Sequence, residues 1–404
     1  MTVISRTNTM NPQQEAISAT FRDRFVPVAL RGLQRMLVDD GRWFSFRAFA
    51  GKGPEELRNE GISERYSVMS LLGLEAQRAL GRSDRIETAP VVESLAAWAP
   101  RAPSLGDSGL VLWNHIQRGD GRAEALARAI VDRRAELDRR EFGFASMDIG
   151  CLVLGLSEAL RAGCEVKGQR ELAESVAVRL MQQQDTATRL FSFGRRTRRK
   201  NLIRLRSDTH LGSFASQVYP TMGLAAHARA TGDERSAAGA AGCAQRICAL
   251  QGEAGQWWWV YHVKAGREAV RYPVYTVHQD AMGPMMLTAA ALGVGDDPRY
   301  HTAIQKSLGW FDQRPELPRA EFVDHERGAV WRAAQHDDPA STGLLGLGSG
   351  ELKRMHFGAW TGRPDERALH GGHVCGECRS YHLGWVLLAD AMYAEVVEAG
   401  AVRT

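Results

Sequence analysis

Ser146-Met147-Asp148, followed by IGCLVLGL (149–156), joins a polar start to a run that is apolar on every side. A helix hydrophobic all round must be buried all round. The stretch before it, 121–139, is rich in Ala, Arg and Glu, with apolar residues three or four apart. That spacing predicts a helix needing only one buried stripe. A polar-faced helix followed by an all-apolar helix is an α-hairpin with an outside and an inside.

The same pair recurs along the chain. Ser63-Glu64-Arg65-Tyr66 leads into SVMSLLGL, Asp107-Ser108 into GLVLWNHI, and Ser213-Phe214 into ASQVYPTMGLAAHA. Tyr275-Thr276-Val277-His278-Gln279-Asp280 leads into AMGPMMLTAAALG, and Arg379-Ser380-Tyr381-His382 into LGWVLLADAMYA. The polar-faced partners are 20–39, 88–99, 167–185, 233–251 and 298–313. Six hairpins predict an all-α fold, an (α/α)6 barrel in which inner helices pack on each other and outer helices wrap them. An open solenoid of the same hairpins is the alternative, but six is a closing number and no capping repeat is evident. The expected organisation is one barrel domain over 1–404, with a flexible segment at 1–14 and a lid-like loop at 314–377.

Connector lengths locate the working face. Inner-to-outer links are short, such as Gly119–Gly121 and Thr231–Glu234, whereas the outer-to-inner links 40–62, 186–212, 252–274 and 314–377 are long. Long ordered loops in a compact domain are usually functional. All of these would emerge above the N-termini of the inner helices, where free N–H groups and partial positive charge collect.

Composition narrows the class. The 404 residues are 44% hydrophobic and 24% charged, which excludes disordered and collagen-like chains. Lys+Arg 51 against Asp+Glu 47 leaves a net charge of +4, too small a field to attract nucleic acid. No run of about 18 apolar residues exists to span a membrane. Six cysteines with a single C-x-x-C, and a polar start from Met1 to Gln14, give a cytoplasmic location as the expectation.

One motif carries a family resemblance. Gln251-Gly252-Glu253-Ala254-Gly255-Gln256-Trp257 fits Q-x3-G-x-W and resembles the QW repeat of the terpenoid cyclase and protein prenyltransferase toroids. Asp40-Gly41-Arg42-Trp43 and Arg327-Gly328-Ala329-Val330-Trp331 are fainter echoes. The resemblance implies an α/α toroid in which Gln and Trp tie an outer helix to the next turn. The chain departs from those enzymes in lacking an Asp-x-Asp-Asp acid motif. Asp296-Asp297-Pro298 and Asp337-Asp338-Pro339 read as loop turns rather than a magnesium box. The segments Gln256–Pro284 and Glu377–Trp385 are also similar to bacterial toroid proteins that accompany polysaccharide genes, which implies work on glycans.

Candidate chemistry gathers at the predicted mouth. Trp257, Trp258, Trp259, Tyr261 and His262 lead into Tyr272–Asp280, an aromatic-rich connector suited to stacking on sugar rings. Asp280, His278, Asp148, Glu377 and His382 are the candidate acid–base groups, the three carboxylates opening different inner helices and facing one cavity, as glycan chemistry requires. Glu64 is a further available carboxylate. Tyr66, Tyr219, Trp258, Trp259, Tyr261, His262, Tyr275, Arg379 and Tyr381 are candidate substrate contacts, and Asp324, Trp331 and Arg332 belong to a loop able to close on a ligand. His370, His373, Cys375 and Cys378 hold zinc-ligand types in tight spacing, although an incidental Gly-rich loop fits as well. The run Arg195, Arg196, Arg198, Arg199, Lys200, Arg204 and Arg206 would suit an anionic sugar or a phosphate. Gly346-Leu347-Gly348-Ser349-Gly350 lacks the preceding strand of a dinucleotide fingerprint.

These residues support a carbohydrate-active enzyme of hydrolase, lyase or epimerase type, with no cofactor expected and a small-molecule or oligosaccharide substrate. A cyclase-like enzyme protonating an isoprenoid, with Asp280 or Asp148 as acid, is the second reading. A non-catalytic glycan-binding toroid is the third. The polar mouth favours the first.

Overall fold

The structure, a computed structural model, describes residues 10–82, 85–138, 145–194, 208–335 and 372–403. Its helices form the expected (α/α)6 barrel. The inner ring is α3 (Glu64–Ala79), α5 (Leu105–Arg118), α7 (Ser146–Arg161), α9 (Ala215–Thr231), α11 (Gly283–Val294) and α13 (Ser380–Arg403). Around it lie α1 (Pro12–Thr20) running into α2 (Val26–Met36), then α4 (Ala89–Trp98), α6 (Ala123–Asp132), α8 (Gln169–Met181), α10 (Glu234–Ala249) and α12 (Pro298–Gln313). Each inner helix packs on the next, and α13 returns to pack on α3, so the ring closes.

Local chemistry sets the helix ends. Ser63 caps α3 by accepting from the Tyr66 N–H, and Asp233 and Asp297 cap α10 and α12 in the same way. Gly119 and Gly232 end α5 and α9 in the left-handed conformation. The segment expected to be flexible is helical from Pro12, where Asn11 and Gln14 form a reciprocal cap. Residues 1–9 lie outside the described residues.

The inner helices touch at glycine. A Cβ added at Gly73 on α3 would run into the Gly384 carbonyl oxygen of α13, and one at Gly155 of α7 into the Gly109 carbonyl of α5. These contacts explain why the apolar runs contain glycine despite its helix penalty.

Strands are more numerous than expected, all of them inside the long connectors. β1 (Leu37–Val38), β2 (Trp43–Ala50) and β3 (Leu57–Ile62) form an antiparallel sheet. A second sheet joins β4 (Leu211–Ser213), β5 (Val260–His262) and β6 (Arg267–Val270). β7 (Val274–Tyr275), β10 (Ala333–Gln335) and β11 (His373–Cys375) make a third, and β8 (Val323–Asp324) pairs with β9 (Ala329–Val330). Apart from β2 and β3, these segments are too short to show alternation in the sequence. They stitch the connectors together over one end of the ring: Ala48 and Cys378 exchange backbone hydrogen bonds at 2.8 Å, and the Thr276 N–H donates to Arg332 O at 3.0 Å.

Candidate active site

At the N-terminal end of the ring, side chains from most inner helices and two connectors converge. Arg65 in the first turn of α3 pairs with Asp107 of α5 and, at 2.6 Å, with Asp148 of α7. Burial would lower the Arg65 pKa, but Asp107 and Asp148 outweigh it and keep the guanidinium charged. Burial pushes the Asp107 carboxyl above its usual range, with Arg65 opposing. Asp148 remains 29% exposed at its side chain, open to the mouth.

Across the ring, Asp280 and His382 form a buried pair. His382 Nε2 lies 2.7 Å from Asp280 Oδ1, although 102 residues separate the two in sequence. Asp280 is wholly buried, and burial raises its pKa against the pull of His382. Its second oxygen, Oδ2, has no hydrogen-bond partner among the described residues. Asp280 belongs to a π-turn, His278–Met282, that precedes α11. Such turns recur at functional sites. His278, in the same turn, packs between Phe214 and Tyr275 at ring separations of 4.6 and 5.2 Å. Burial, helped by His382 and Arg332, pushes its pKa down to about 3, so it is neutral in the folded protein.

Glu377 precedes α13 and sits in a clamp of guanidiniums. Arg47 of β2 reaches it at 2.9 Å, Arg332 at 3.0 Å and Arg379 at 2.5 Å. Burial works to raise this carboxyl, but Arg379, Arg332 and Arg47 outweigh it and hold the pKa below the usual range. Glu377 is therefore a fixed anion that orders arginines rather than a proton donor. Arg379 also lies over the Phe46 ring at 4.1 Å and Arg332 over Tyr275 at 5.2 Å. Phe46, Tyr66 and Tyr381 continue as an aromatic wall, with ring centroids 5.2 and 4.5 Å apart.

Several other candidates are framework. The Tyr219 hydroxyl accepts from Trp385 Nε1 at 2.9 Å in the core. Tyr261 is fully buried and accepts from the Trp258 N–H, while His262 Nδ1 accepts from the Ala265 N–H. Trp258 packs against Tyr272 with Arg271 over its face, and Trp259 meets Tyr275 edge-on. The Trp331 carbonyl accepts from the Thr276 hydroxyl, fixing that connector, and Asp324 pairs with Arg327. The Gln251 amide donates to Ala303 O of α12 at 2.9 Å, and Trp257 is buried beneath Phe214.

Three of the four zinc-ligand candidates lie among the described residues. His373 pairs with Gln335 in the sheet, and Cys378 is buried with its pKa pushed up to about 12 by that burial. Among the described residues no three His, Cys, Asp or Glu side chains gather as metal ligands. His370, the basic run 195–206, Asp337, Asp338 and the Gly346–Gly350 stretch lie outside the described residues, as does most of the predicted lid. Arg47 and Phe46 were not singled out from sequence; their only signal is the WFSFRAFA alternation of β2.

No family model matches the chain, and no curated protein does. Solved structures do share the fold. An unsaturated glucuronyl hydrolase specific for heparin superposes with a TM-score of 0.61 at 13% identity, covering 95% of this chain and 98% of that one. Cellobiose 2-epimerase from Spirochaeta thermophila gives 0.58 at 12% identity, with 96% of each chain covered. An unsaturated glucuronyl hydrolase mutant from Streptococcus agalactiae, complexed with dGlcA-GalNAc6S, gives 0.57 at 10% identity, over 96% of this chain and 93% of that one. These are toroids, as expected, but glycan enzymes rather than terpenoid cyclases.

Proposed function

We propose that the protein is a carbohydrate-active enzyme that moves a proton on an acidic sugar, with His382 as the acid–base group and Asp280 orienting it. The buried Asp280–His382 pair carries this reading. With Nε2–H donated to Asp280, the lone pair on His382 Nδ1 has no partner among the described residues, as a general base requires. Arg332 and Arg379, held by Glu377, would bind the sugar carboxylate and offset the charge that develops when His382 removes the proton on the adjacent carbon. The electron pair then either takes a proton back on the opposite face, giving the epimer, or expels the oxygen substituent one carbon further on, giving an unsaturated sugar. The unsaturated glucuronyl hydrolases that share the fold, one of them complexed with dGlcA-GalNAc6S, agree with a carboxylate-bearing sugar.

Hydrolysis of an unsaturated uronide is a second reading, favoured by the partly exposed Asp148 beside Arg65. A hydrocarbon substrate fits poorly with three arginines and a glutamate at the mouth.

The test is to incubate the enzyme with uronate-containing oligosaccharides in deuterated water. Deuterium on the carbon beside the carboxylate, or a gain in ultraviolet absorbance, is the expected outcome. Consumption of unsaturated substrate without either would transfer the assignment to hydrolysis. Asp280→Asn should lower kcat by about 10²–10⁴, the range for losing general acid–base help, with KM nearly unchanged. Glu377→Gln should act mainly on KM. Wild-type kcat in Asp280→Asn would remove His382 from the role.

A further inference from the structure

The other end of the ring holds a pit of about 450 Å³, lined by the C-terminal halves of all six inner helices. Its floor is apolar, formed by Trp113, Leu154, Met222 and Leu388 among others. The rim carries four carboxylates, Glu75, Glu158, Glu395 and Glu398, against two guanidiniums, Arg161 and Arg229. Three of the carboxylates are already engaged: Glu158 with Arg161 and Glu395 with Arg229 at 2.7 Å each, and Glu75 with Arg78 at 3.0 Å and with Arg118. Among the described residues Glu398 has no ion-pair or hydrogen-bond partner. Gln117 lines the pit too, and its Oε1 is buried with no donor facing it. Six helix C-termini add outward carbonyls, each worth about half a negative charge. The unmet groups around this apolar hollow are therefore one carboxylate, Glu398, and neutral acceptors.

We propose that this pit is a binding site for a small organic ammonium ligand with an apolar body. The volume falls within the range that encloses such molecules. The body would displace poorly held water from the floor, and the ammonium N–H groups would meet Glu398, Gln117 Oε1 and the helix carbonyls. Nothing in this site depends on the chemistry at the mouth.

Isothermal titration with octylammonium chloride, octanol and sodium octanoate, each below its micelle concentration, decides the matter. Saturable one-to-one binding of octylammonium is expected, with octanol and octanoate weaker by roughly tenfold or more, the size of one partly screened charge interaction. Glu398→Lys, an exposed rim change, should weaken octylammonium by about the same factor. Ala79→Trp, which drives an indole into the pit from the end of α3, should abolish binding. Both variants should keep the wild-type melting curve. Equal binding of all three compounds would reduce the pit to a hydrophobic hole and overturn the proposal. So would heat that never saturates, or octylammonium binding undiminished in Glu398→Lys. That last comparison stands even where Ala79→Trp fails to fold.

Discussion

Glu377 and Asp280 stand at the same rim with opposite surroundings: three guanidiniums hold the first ionised, while burial raises the second against a single histidine. His278 shows what such burial does to stability. Its pKa is about 3 in the folded protein against 6.5 ordinarily, so between those values the unfolded chain binds a proton that the folded chain does not. Stability therefore rises with pH across that window and is lost as pH falls below about 6.5. His115 and His227, also lowered by burial, add to the trend. Thermal melts from pH 7 to pH 4 should show a steep fall in Tm, and His278→Gln should flatten it in part. An unchanged slope in that variant would mean His278 is protonated in the fold. Asp280, His278 and His382 were legible in the sequence because each opens an apolar helix run. Arg47 was not, since its contact with Glu377 crosses 330 residues and leaves no local pattern.

The element that presents Asp280 is shaped by a proline. Pro284 has no N–H to return to the preceding turn, so a carbonyl there is freed and the chain widens into the π-turn. The Ser307 hydroxyl of α12 lies 2.9 Å from the Gln279 carbonyl, a position it shares with Ile304 O. An outer helix thus supports the turn that presents Asp280 to His382. Ser307→Ala should cost about 1–3 kcal/mol by leaving that buried carbonyl unmet. It should also lower kcat toward glycan substrates more than it raises KM, because Asp280 would lose its bearing on His382. Equilibrium unfolding paired with steady-state kinetics measures both, and a stability loss with intact kcat would confine Ser307 to packing. The helices were readable because their periodicity spans many residues. The π-turn was not, because it needs a proline and its partner on another helix to be considered together.

At the scale of the whole molecule, closure distinguishes this ring from a stack of hairpins. In a linear solenoid each repeat touches only its neighbours, and the last helix frays independently of the first. Here α13 packs on α3 through the close approach of Gly384 and Gly73, so the first and last inner helices share one interface. The same seam sets Tyr66 against Tyr381 and the β2–β3 hairpin against Glu377, which ties the mouth's geometry to closure. Six hairpins in the sequence pointed to a ring, but only the seam decides between ring and line, and its glycines look like any others in an apolar run. Gly384→Ala puts a methyl against the backbone of α3, with an expected cost of about 1–3 kcal/mol for overpacking. Hydrogen exchange read by mass spectrometry should then show protection falling together in α3 and α13, sequence ends that no local model couples. Exchange rising in α13 alone, with α3 and the mouth's activity untouched, would mean that the two helices are held to the ring separately and that the mouth does not depend on the seam.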